Sequence, residues 1–110
     1  MNAVQYSKIL AEYVTKLEYG DLSKEVVEKA KMHLLDTMGN MLGAHSMSWS
    51  KMVVDIVRKT GGVPQSTVMG VEGMYPVIMA ALANGTMAHG IDADDSGARP
   101  SWAHPGSCII

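Results

Sequence analysis

The run Thr60-Gly61-Gly62-Val63-Pro64 is the strongest break in the chain and limits what can form on either side of it. Glycine costs a helix about 1 kcal/mol against alanine, and proline removes an amide donor and clashes with the preceding turn. No helix should cross this stretch. Before it, apolar residues recur at three- and four-residue steps, the period of a helix with one buried face. Tyr6, Ile9, Leu10, Tyr13, Val14 and Leu17 mark a first helix over 5–18. Val27, Ala30, Leu34, Met38, Met41 and Leu42 mark a second over 24–43, with Lys24, Glu28 and Lys31 on its other side. A third starts at Ser48 or Ser50 and runs to Arg58, with Met52, Val53, Ile56 and Val57 inward.

Local signals set the ends of these helices. Gly20, in Tyr19-Gly20-Asp21, can take a left-handed cap after the first. Ser23 is placed as N-cap of the second, with Glu25 and Glu28 early in it, where the helix dipole favours negative charge. Gly39 and Gly43 within that helix predict the close approach of another backbone. Beyond the break, 66–70 alternates enough for a short extended segment. Pro76 is pre-set for a first helical turn and opens a fourth helix. Ile78, Met79, Ala81, Leu82, Met87 and Ala88 make that helix apolar nearly all round, the pattern of a buried helix, and it ends at Gly90. The expected fold is all-α: an antiparallel helical domain of four helices, with a polar loop after the last.

Of the 110 residues 47% are hydrophobic, ample for a core, yet there is no Phe and there are ten Met. Methionine packs adaptably and specifies shape poorly, so neighbouring chain is expected to complete this core. Ser107 followed by Cys108-Ile109-Ile110 reads as the start of another helix, and one turn does not recover its nucleation cost. The sequence is therefore expected to be part of something longer. A net charge of −2 and nine scattered basic residues exclude a nucleic-acid partner. One cysteine cannot form an internal disulfide, and neither a signal peptide nor a membrane span is legible; a cytoplasmic protein is expected.

Chemistry concentrates after Asn84. His89, Asp92, Asp94, Asp95, Ser96 and His104 fall within a short stretch at the end of an apolar helix. Such groups can position a small polar ligand and move its protons. Three aspartates within four positions repel one another, so a buried member would have a raised pKa, whereas a solvated turn would leave all three ionised. Asp92-x-Asp94-x-Ser96-Gly97 also opens like a calcium loop, but Ala103 stands where the bidentate glutamate should be and Arg99 lies inside. A terpene-cyclase reading of Asp92-x-Asp94-Asp95 lacks the aromatic walls it needs. His89 is placed to cap or pack at the helix end. His104 is held at the loop exit by Pro105, which restricts its backbone to extended forms. His33 and His45 are expected to be exposed and structural, and Cys108 a small core residue.

Leu34-Leu35-Asp36-Thr37-Met38-Gly39, the stretch from Ala83-Asn84-Gly85 through His89-Gly90-Ile91-Asp92-Ala93-Asp94-Asp95-Ser96, and His104-Pro105 together resemble the amino-terminal part of the MmgE/PrpD family. Leu22 to Lys31 is similar too. That family includes 2-methylcitrate dehydratase, cis-aconitate decarboxylase and iminodisuccinate epimerase. The resemblance implies that 1–110 is the amino-terminal part of a helical domain, with the rest of that domain and a smaller α/β domain in further chain. It implies a homodimer, a small carboxylic acid as substrate, no metal or organic cofactor, and catalytic roles for Asp92, Ser96 and His104. Further site residues, lysines among them, would lie outside these 110 residues, which alone should be inactive. Two departures, Ala93 in place of an aromatic and Ser96 in place of threonine, bear on the substrate. The resemblance points first to a dehydratase of the 2-methylcitrate kind, then to a decarboxylase or epimerase. The acidic loop on its own leaves open a non-catalytic interaction module or a calcium-binding one.

Overall fold

The computed structural model describes residues 5–93, 104 and 106. Among them are four helices: α1 (Tyr6–Lys16), α2 (Lys24–Ala44), α3 (Ser48–Thr60) and α4 (Val77–Ala88). A 3-10 turn over Tyr19–Asp21 joins α1 to α2. A two-stranded antiparallel hairpin, β1 (Ser66–Val68) and β2 (Val71–Tyr75), stands between α3 and α4. The fold is predominantly helical, and the hairpin is its one departure from an all-α chain among the described residues. No described helix is long and apolar enough to cross a membrane.

The helix ends follow the local chemistry, with one difference. Ser23 Oγ accepts the Val26 amide at 3.3 Å, so α2 starts on a side-chain cap. The break holds as expected, because Gly61 and Gly62 have φ of 67° and 120°, left-handed values that end α3. Gly20, in contrast, is not left-handed; the 3-10 turn closes through reciprocal bonds between Glu18 and Asp21 instead. The third helix starts at Ser48, one of the two serines expected to begin it. Its N-cap is Met47, and Ser50 lies inside it, fully buried, its hydroxyl without a hydrogen-bond partner among the described residues.

The extended segment is half of a hairpin. Ser66 pairs with Tyr75 and Val68 with Val71, with a bulge between the two pairs. Asn84 on α4 fastens the hairpin down. Its amide nitrogen donates to the Thr67 carbonyl at 3.1 Å, and its side-chain oxygen accepts the Met69 amide at 2.9 Å. One side chain thus satisfies the half-buried Met69 amide and holds the exposed Thr67 carbonyl at the strand end.

α4 packs against α2, α3 and β1, and the core collects around it: Met41, Ala44, Val54, Val57, Val68, Val71, Ala80, Ala83, Met87 and Ala88. Several expected inward faces are different ones. On α3 the buried residues are Ser50, Val54 and Val57, whereas Met52 and Ile56 are more than half exposed. On α2, Met41 is buried as expected, but Leu42 faces out and Thr37, Asn40 and Ala44 face in. α4 is buried on one side only, and Ile78 is 82% exposed. α1 contributes no buried residue at all. Gly39 meets nothing within 4 Å, and Gly43 meets only the tip of Ile91, so neither admits a second backbone here.

The Asn84 clamp makes a direct prediction. Asn84→Ala should lower unfolding stability by about 1–3 kcal/mol, since it removes both bonds and leaves the half-buried Met69 amide unsatisfied. Chemical denaturation of the two proteins checks this.

Candidate functional site

The site is built on the carboxyl end of α4. His89 is the C-cap of that helix, and the Gly90 amide that follows it bonds the Met87 carbonyl at 3.1 Å. The chain then presses onto α2. A Cβ at Gly90 would lie 2.6 Å from the Ala44 Cβ, closer than two carbons can approach. The Gly90 carbonyl is held from the other side by the Trp49 indole N–H, at 3.1 Å. Ile91 follows against Gly43 of α2. Asp92 then adopts a left-handed conformation, φ 50°, the one non-glycine residue to do so among those described. Aspartate tolerates that region better than most side chains but still at some cost, and such residues gather at functional turns.

Of the three expected site residues, Asp92 is exposed on this turn and its carboxylate hydrogen-bonds to nothing described. His104 is half-buried, and its ring centroid lies 5.1 Å from that of His89, the planes tilted by 57°. Ser96 lies outside the described residues, as do Asp94, Asp95, Pro105 and Cys108. His89 caps and packs at the helix end as expected, and the ring it packs against is that of His104. Two neighbouring imidazoles offer donor and acceptor nitrogens side by side.

A hollow lies on each side of the turn. One is a groove between α3 and α4, bounded by Trp49, Leu82, Gly85, Thr86, His89 and Gly90. The other, of about 270 Å³, lies between α2 and the turn and is bounded by Lys29, Met32, His33, Asp36 and Ala93. His33 and His45, expected to be exposed, are both half-buried; His33 lines the second hollow, and His45 lies under the hairpin turn at Gly70. Sequence reasoning also passed over Lys29, Asp36 and Trp49. The spacing of Lys29, His33 and Asp36, which puts them on one helical face, was the available signal. Among the described residues no three His, Cys, Asp or Glu side chains are grouped as metal ligands would be.

The family model described as MmgE/PrpD N-terminal domain matches residues 8–109, nearly the whole chain. No curated protein and no solved structure matches it.

Gly90→Ala should separate the turn from α2, because the added methyl has no room beside Ala44. A loss of about 1–3 kcal/mol is expected from overpacking. It should be accompanied by a change in Trp49 fluorescence as the indole loses its carbonyl partner; an unchanged spectrum and melting point would count against this geometry.

Proposed function

The chain belongs to the MmgE/PrpD family, and we propose that within this enzyme family it is part of a cofactor-independent lyase acting on small di- or tricarboxylic acids, with 2-methylcitrate dehydratase chemistry the leading reading. The observation that carries the proposal is the pairing of His104 with His89 at 5.1 Å, beside the turn that bears Asp92. A dehydration of this kind removes a proton from a carbon next to a carboxylate and expels a hydroxide from the neighbouring carbon. The electron pair of the broken C–H bond becomes the new double bond, and the departing hydroxide leaves as water once protonated. Such a step needs one base and one acid within reach of the substrate.

In this reading His104 moves a proton, with His89 setting the position of its ring. Asp92 acts on the substrate hydroxyl or orients an imidazole, and Ser96 donates a hydrogen bond to a carboxylate. Decarboxylation of cis-aconitate and epimerisation of iminodisuccinate present the same need for a proton donor at carbon next to a carboxylate, and remain the alternatives within the family. The proposal extends to residues 1–110 forming the amino-terminal part of a helical domain whose remainder, with an α/β domain, lies in further chain. It also includes a homodimer, because the apolar sides of α1, α3 and α4 lack cover among the described residues.

The test is turnover by the full-length protein of 2-methylcitrate, cis-aconitate and iminodisuccinate. One of these acids should be consumed, and His104→Ala should lower kcat by about 10²–10⁴-fold, the usual contribution of a general acid or base. A folded His104→Ala protein that keeps activity within a few-fold of the parent would remove His104 from the mechanism.

A further inference from the structure

We propose that the hollow between α2 and the Asp92 turn is an anchoring subsite for a hydroxycarboxylate, with Lys29 taking the carboxylate and Asp36 the hydroxyl. It deepens the lyase reading, on which its place in catalysis rests. Its residues come from the middle of α2, far in sequence from Asp92, Ser96 and His104, and become neighbours of the site only through the fold. Lys29, His33 and Asp36 are spaced four and three apart, so they share one face of α2. That face is the one Ala93 covers, one residue after Asp92.

The chemistry of the hollow is selective. The Lys29 ammonium makes no ion pair or hydrogen bond with any described residue, unlike Lys31, whose ammonium is 2.9 Å from Glu28. An unengaged ammonium at the edge of a pocket is available to a carboxylate, and a charge-assisted bond of that kind is stronger than a neutral one. Asp36 is steadied by the Asn40 amide, which donates to Oδ2 at 3.3 Å, and Asn40 is itself buried. A carboxylate so placed repels a second anion but accepts a hydroxyl proton. Lys29 and Asp36 together therefore favour a ligand with a carboxylate and a hydroxyl over one with carboxylates alone. Met32 supplies an apolar side, and about 270 Å³ accommodates a molecule of citrate size.

The test uses the full-length protein and two probes, citrate and tricarballylate, which differ by one hydroxyl, with binding measured by calorimetry. Citrate should bind more tightly than tricarballylate. Lys29→Met should weaken both by tenfold or more, and Lys59→Met, which removes an equal charge at the end of α3, should change neither by more than twofold. Asp36→Ala should remove the preference for citrate. Equal weakening by the two lysine variants, or an unchanged Lys29→Met, would overturn the subsite, as would a parent protein that binds neither probe. Failure of the lyase reading is separately visible: Lys29-dependent binding without turnover of any acid leaves the subsite standing and removes the enzyme. Turnover with an unaltered KM in Lys29→Met does the reverse.

Discussion

The absence of a side chain at Gly90 is what allows the rest of the site to exist. With 2.6 Å between a notional Cβ there and the Ala44 Cβ, the turn after α4 and the end of α2 meet at a distance no other residue permits. α4 is suited to such approaches along its length. Its buried positions are Ala80, Ala83, Met87 and Ala88, so three of the four are alanines, and α2, α3 and the hairpin can all pack close to one short helix. The indole of Trp49 then ties the Gly90 carbonyl to α3. The path of the turn through Gly90, Ile91 and Asp92 is thus set by helix packing on both sides.

Most of the helical architecture was legible because period and end signals agree in these segments. Ser23, the Gly61-Gly62 pair and Pro76 each sit where a helix starts or stops. The faces were harder to read. On α3 the set Ser50, Val54, Val57 is as regular as Met52, Val53, Ile56, Val57, and bulk alone favours the second. The fold takes the first, whose small side chains fit against the alanines of α4. On α4, with apolar residues nearly all round, period carries no information about orientation. β2 was missed because Glu72-Gly73 interrupts its apolar character, and a glycine inside a strand weakens the pattern that would reveal it.

The site was legible as a cluster but not as an arrangement. Asp92 and His104 could be singled out by residue type and by the His-Pro step, whereas the meeting of His104 with His89 joins residues fifteen apart that no periodicity brings together. Asn84 stands within the segment that carries the resemblance, yet its work is to bind the hairpin to α4. A residue of a recognisable motif can therefore be one that fixes the elements around it, as Asn84 does, as well as one that carries the exposed chemistry, as Asp92 does. Sequence adjacency does not separate the two.

Asp92 shows how the two kinds meet. A left-handed aspartate is disfavoured in an unstructured chain, so the conformation persists because the residues before it are fixed: Gly90 by Ala44 and Trp49, and Ile91 by Gly43. That reversal leaves His89 and Gly90 on the α3 side of the turn and brings Ala93 to the α2 side. The turn is consequently a wall shared by two hollows, with an imidazole pair at one flank and a lysine, a histidine and an aspartate at the other. His89, at the end of α4, and the Lys29, His33 and Asp36 group, on α2, are thereby carried by separate helices.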